Sequence, residues 1–217
     1  MADGLGGPTR TYINMKLLNI SALALFASCA TVDTSTPAAP AATAEKSQWV
    51  YSSDLKVSHP PFQEVHCNWK DRLDQPYVFL ENVGPYADTG ALIPEVHRLL
   101  SQQGIQPAGP PFGLYYDDPS SVEAGKLRSR ACVPVGSWTE PGLPLRKETL
   151  PSRTVAYALA SGPYPGVHSS YPGIFGYMSK MNWAIAGPIR EIYMIPPSEV
   201  DGYEQLICEV QVPVTRR

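Results

Sequence analysis

The chain has 217 residues, 43% of them hydrophobic and only 17% charged, a balance that suits one globular domain with appendages. Seventeen Lys and Arg against twenty Asp and Glu leave a net charge of -3, without the basic excess that nucleic acid backbones reward, so no nucleic acid partner is expected. Twenty-three prolines and seventeen glycines, spread between apolar runs, argue against a helical bundle and for a mixed α and β fold.

From Met15 the chain reads MKLLNISALALFASCATVD: a lysine, an apolar run from Leu17 to Phe26, small residues, then Cys29. That order is a secretory signal, and the run is too short for a permanent membrane helix. FASC, ending at Cys29, resembles the bacterial lipoprotein box, with Phe26 where Leu is usual; the resemblance implies cleavage before Cys29 and lipid on its sulfur. Residues 1–29 are therefore read as an extension and signal. Residues 30–48, rich in Ala, Thr, Ser and Pro, have too little to bury and read as a disordered tether. Ala30 in place of Asp points to the outer membrane, facing the periplasm. A folded domain is expected over 49–217. Cys67, Cys132 and Cys208 fit either one disulfide with a free thiol or three buried thiols. There is no CxxC, and His59, His66, His97 and His168 lack metal-ligand spacing, so neither metal nor cofactor is expected.

The domain is written twice. GPY at 84–86 returns at 162–164, and the same shift of 78 carries Pro94 to Pro172, AGP at 108–110 to 186–188, and Tyr115 to Tyr193. VPV at 133–135 returns at 212–214 after one inserted residue. Landmarks in register mark a duplicated unit, spanning about 76–135 and 154–214. Each unit opens with a β-branched and aromatic run ending in Gly-Pro, which reads as a strand and turn. A helix follows. Leu92, Ile93, Val96, Leu99 and Leu100 form its apolar stripe in the first copy, with Pro94 in the first turn and Gly104 as the stop. Tyr171, Ile174, Phe175, Met178 and Met181 form the stripe in the second, behind Pro172. PFGLYYDDP and KLRSRACVPV, then PIREIYMIPP and YEQLICEVQVPV, alternate with period two and read as strands. The expected fold is α+β: two β-α-β-β units in one antiparallel sheet, both helices on one face, and a cleft at the pseudo-twofold axis.

GPY before a helix, GPPFGLYYDDP, LRSRACVPV, REIY at 190–193 and EVQVPV together resemble the GyrI-like family, the effector-binding domain of AraC-type and MerR-type regulators and of multidrug-sensing proteins. The resemblance covers Phe62 to Val214. It implies a central cleft for lipophilic, cationic or aromatic small molecules, gripped by rings and an acidic side chain. Glu191 matches the acidic ligand contact and Glu209 the acidic position of the last strand; Tyr193 shares the strand face of Glu191, and Tyr115 is its first-repeat counterpart. Leu114 or Gly113 occupies the zone where Glu191 would map, so the charge is one-sided. Tyr164 and Tyr171 are candidate cleft walls, and Trp183 is a candidate ring or a core plug. A carboxylate among rings would suit a lipophilic cation.

Some relatives hydrolyse cyclopropane-containing genotoxins, which makes a hydrolase with Glu191 or Glu209 as general base the alternative. No GxSxG, HExxH or phosphate loop is present, and His168 beside Ser169 and Ser170 is poor geometry for a nucleophile and base. A third reading is an interaction module whose cleft takes a peptide. The leading expectation is an envelope-anchored, non-enzymatic binder of small molecules.

Overall fold

The computed structural model describes residues 54–217. In chain order these form β1 (Cys67–Arg72), β2 (Gln75–Val83), α1 (Thr89–Gln102), β3 (Phe112–Tyr115), β4 (Arg128–Pro134), β5 (Arg146–Leu150), β6 (Arg153–Ser161), α2 (Tyr171–Lys180), β7 (Trp183–Ile185), β8 (Ile189–Tyr193) and β9 (Ile207–Arg216). Eight strands make a curled antiparallel sheet in the order β1-β6-β9-β8-β3-β4-β2-β5, and β7 adds a short pairing to β9. The signal and tether readings, including Cys29, lie outside the described residues.

The sheet order reads the same from either end once each strand is exchanged for its counterpart in the other repeat. β2-α1-β3-β4 and β6-α2-β8-β9 are the two β-α-β-β units. Each unit also has a leading strand, β1 or β5, which the apolar pattern did not reveal because CNWKDR and RKETL are short and largely polar. These leading strands are exchanged: β1 pairs with β6 and β5 with β2.

Both helices pack on one face. The row Cys67, Ala158, Val210, Glu191, Gly113, Ala131 and Leu80 runs across neighbouring strands, and side chains in register point the same way. α1 sets Val96, Leu99 and Leu100 against Val78, Ala131 and Val133. α2 sets Ile174 and Met178 against Ala156, Ala158, Val210 and Val212. Burying each such side chain contributes about 1.5–3 kcal/mol. The opposite, inner face of the curl holds Tyr77, Phe79, Phe112, Leu114, Cys132 and Ile192. At one end the β1–β2 and β5–β6 turns meet: Ser152 N donates to Asp74 Oδ1, and Arg72 Nη2 donates to Pro151 O at 2.6 Å.

Three helical expectations need correction. α1 starts at Thr89, so Pro94 is its sixth residue rather than part of the first turn, and the bond its N–H would have made to Gly90 is forfeited. Phe175 and Met181 are exposed, because α2 ends at Lys180 and its narrow buried stripe is Ile174 and Met178. The stops correspond: Gly104, at φ +66, ends α1, and Asn182, at φ +55 and 78 residues on, ends α2 in the same left-handed conformation.

Candidate functional site

The axis of the duplication passes between β3 and β8, where Gly113 stands directly opposite Glu191. These are equivalent positions of the two repeats, so a carboxylate in both would place two like charges against each other in a buried setting. Only one is present. Glu191 is 6% exposed, beneath the helix-bearing face.

Tyrosines close over it. Tyr193, two residues along β8, donates to Glu191 Oε2 at 3.2 Å, and its hydroxyl lies 2.7 Å from that of Tyr115. Tyr171, the first residue of α2, donates to Glu191 Oε1 at 2.6 Å. Pro172 behind it suits the first turn of the helix, so the helix start fixes where this ring falls. Tyr115 can fold back because Gly113 has no side chain: a Cβ there would sit 2.8 Å from the Tyr115 ring and hydroxyl.

The tyrosines of the two GPY motifs brace this arrangement. Tyr164 lies 4.7 Å, ring to ring, from Tyr193, and its hydroxyl accepts from Ile195 N at 3.1 Å and donates to Ile195 O. Tyr86 does the same in the first repeat, 4.9 Å from Tyr115, accepting from Asp117 N and donating to Asp117 O, both at 2.8 Å. Each GPY tyrosine thus ties the backbone just beyond the central strand to the turn before the helix. Tyr86 was missed as a site residue, although the repeated GPY was the signal that could have found it.

Burial drives the Glu191 carboxyl above the ordinary carboxylate range, while hydrogen bonds from Tyr171, Tyr193 and Tyr115 and the charge of His168 oppose the shift. The hydroxyls of Tyr115, Tyr171 and Tyr193 are pushed well above their usual value, first by burial and then by neighbouring groups, Glu191 prominent among them. Among the described residues no Lys or Arg forms an ion pair with Glu191: Arg98 pairs with Glu95, and Arg190 points to the other face.

Glu209 does not share this site. It faces Ile192 across the β8–β9 register, on the inner face of the curl, whereas Glu191 faces Val210 on the helix face. There it meets Lys70 Nζ at 2.7 Å and accepts from Gln211 Nε2 at 2.6 Å. A single alternation of β-strand parity separates the two carboxylates, so of the two candidate general bases only Glu191 has the tyrosine hydroxyls beside it. Trp183 is also elsewhere. It begins β7 opposite Arg216, six residues along β9 from the partner of Glu191, roughly 20 Å away at strand rise. It packs edge-on to Tyr177 and against the α2 core. Tyr115, Tyr164, Tyr171 and Tyr193 are the expected rings brought together around Glu191.

His168 Nδ1 is bonded to Pro165 O, and the Ser170 hydroxyl donates to Val167 O. Of the two cysteine alternatives, the structure has three separate thiols; Cys132 and Cys208 are buried on opposite faces of the sheet. No three His, Cys, Asp or Glu among the described residues gather as metal ligands.

The domain is thus a duplicated, curled antiparallel sheet with both helices on one face and an acidic group among tyrosines at its axis. The chain belongs to the GyrI-like family, described as a GyrI-like small molecule binding domain, whose pattern spans residues 66–215. Its fold is similar to that of the EcmrR C-terminal domain, with TM-score 0.63 at 16% identity over 70% of this chain and 98% of that one. Full EcmrR, in a complex with DNA, is matched over only 57% of its length, at TM-score 0.62, 16% identity and 70% of this chain. A hydrolase encoded by lin2189 from Listeria innocua is similar at TM-score 0.51 and 8% identity, over 74% of this chain and all of that one. No curated protein matches the sequence significantly.

Proposed function

We propose that this domain binds a lipophilic small molecule, cationic or aromatic, over Glu191 between the two helices, and that lipid on Cys29 tethers it to the outer membrane facing the periplasm. The observation that carries the binding reading is a buried carboxyl held by tyrosine hydroxyls, with no Lys or Arg paired to it among the described residues. A buried carboxylate without a counter-charge is unfavourable, and a cation with an apolar body supplies the charge while burying its own surface. The faces of Tyr115, Tyr164, Tyr171 and Tyr193 add about 0.5–2 kcal/mol for each ring well placed against a cation. Glu191 becomes reachable when the Tyr171 ring swings off Oε1, so binding is coupled to the first turn of α2.

Titration of the domain with tetraphenylphosphonium, read by quenching of tyrosine and tryptophan fluorescence, tests this. Saturable quenching that weakens at least tenfold in Glu191→Gln is expected; no saturable signal would remove the reading. The tether is tested by labelling with a clickable fatty acid, which should be lost in Cys29→Ser.

One observation favours a hydrolytic role: a carboxyl raised above its ordinary range beside a tyrosine hydroxyl is suited to general base work. Glu191 would act without Glu209. Mass spectrometry of reactive cyclopropane substrates, with turnover that vanishes in Glu191→Gln, separates it from binding alone.

A further inference from the structure

The inner face of the curl, across the sheet from Glu191, differs between the two halves in a way the fold does not require. In the first half, Phe79, Phe112, Cys132 and Leu150 fill it with buried apolar side chains. Their repeat counterparts, 78 residues on for the first two, 79 for Cys132, and 78 back for Leu150, are Tyr157, Arg190, Gln211 and Arg72. All four are at least nine-tenths buried. The same backbone accepts a hydrocarbon set at these positions, so stability alone does not call for two guanidinium groups.

Nor are the two satisfied where they lie. Arg190 Nη2 donates to Gln75 Oε1 and its guanidinium lies 3.9 Å from the Phe112 ring centre, but its Nε has no partner. Arg72 donates to Pro151 O through Nη2, and its Nε is likewise unpartnered. Among the described residues neither forms an ion pair with a carboxylate; Glu209 is engaged by Lys70 and Gln211, and Asp74 Oδ1 by Ser152 N. Beside Arg190 in the β8–β9 register, Gln211 donates to Glu209 but leaves its own Oε1 without a donor. Burial, and then the charge of Arg72, lower the Arg190 guanidinium to about 10. A groove of about 370 Å³ reaches Arg72 and Gln75 from outside, at the turn that joins β1 to β2.

We propose that this polar half of the inner face is a second binding site, for a small oxyanion that carries a hydroxyl, with Arg72 and Arg190 supplying the charge and Gln211 Oε1 accepting from the hydroxyl. Hydrogen phosphate is the simplest such ion. Planar guanidinium groups suit oxyanions in geometry as well as charge. The free acceptor is what makes a hydroxyl-bearing anion fit better than a bare one. Gln75, half-buried between groove and Arg190, turns aside to admit it.

The test is thermal unfolding of the domain with inorganic phosphate at constant ionic strength. The midpoint is expected to rise along a single-site curve, by about 5 °C or more near saturation, and sulfate is expected to act more weakly. Arg190→Phe and Arg72→Leu install the side chains that the first repeat carries. Each should unfold at an equal or higher midpoint without phosphate and lose the phosphate response. No response in the wild type, or an undiminished one in these variants, would overturn the proposal. If either fails to fold, Gln211→Leu decides the matter: phosphate affinity must fall at least fivefold with sulfate unaffected, and an unchanged phosphate curve counts against the site.

Discussion

Tyr115 and Tyr193, 78 residues apart, hold their hydroxyl oxygens 2.7 Å from each other directly over the junction of the two repeats. Tyr193 also donates to Glu191, so one hydroxyl joins the symmetric pair to the asymmetric charge. Tyr193→Phe removes both bonds and leaves buried polar atoms behind. It should cost about 1–3 kcal/mol in urea unfolding and raise the Glu191 carboxyl further, since that hydrogen bond opposes the shift.

The raised Glu191 carboxyl predicts a pH dependence of definite sign. The folded chain holds this proton more tightly than the unfolded chain, so the contribution is fully present below the ordinary carboxylate value. It is lost as pH rises from there through the raised folded value. Wild-type stability, measured by urea midpoints between about pH 4 and pH 8, should fall across that window. Glu191→Gln should flatten the loss and be the more stable protein at the upper end.

Gly113 is dictated by the ring above it. Gly113→Ala drives a Cβ to 2.8 Å from Tyr115 and forces the ring outward. A cost of about 1–3 kcal/mol is expected, together with loss of the Tyr115–Tyr193 hydroxyl contact, visible as a shifted tyrosine hydroxyl resonance. An unaltered resonance would mean that the ring was not held there.

Glu209 provides a contrast with Glu191. Because it faces the other side of the sheet, Glu209→Gln should leave tetraphenylphosphonium affinity within about twofold. Its bond with Lys70, whose side chain is 37% exposed, is partly screened, so the stability cost should be about 1 kcal/mol. A tenfold loss of affinity would place it in the ligand site after all.

Ile174 has no solvent exposure and is the main anchor of α2 on the sheet. Ile174→Ala should destabilise by about 2–5 kcal/mol. It should also increase hydrogen exchange in the first turn of α2, where Tyr171 reaches Glu191.

Much of this architecture was legible because the chain repeats itself. GPY, Pro94 with Pro172, and the Tyr115 and Tyr193 pair fixed two equal units, and helical and two-residue periods then supplied their elements. β1 and β5 were not legible, since edge strands with charged side chains carry no apolar alternation. The site was legible as residue types but only partly as places. Glu191 with its tyrosines follows from the repeat, because position 113 shows what the axis tolerates. That Glu209 lies on the opposite face from Cys208, Val210 and Val212 follows from the alternation within β9, but that Glu191 shares their face depends on the β8–β9 register, in which Glu191 meets Val210. The true counterpart of Glu209 is Arg130: Lys70–Glu209 in one half repeats Glu148–Arg130 in the other with the signs reversed.

The exchange of leading strands has a consequence for how this chain is made. Cys67 finds its backbone partner at Ala158, and Gln75 finds one at Leu150, so neither half can complete its own sheet edge from its own residues. On the ribosome, the amino-terminal half must wait for the carboxyl-terminal half to emerge before either acquires cooperative stability, and a chain truncated between the repeats would leave a strand without its mate.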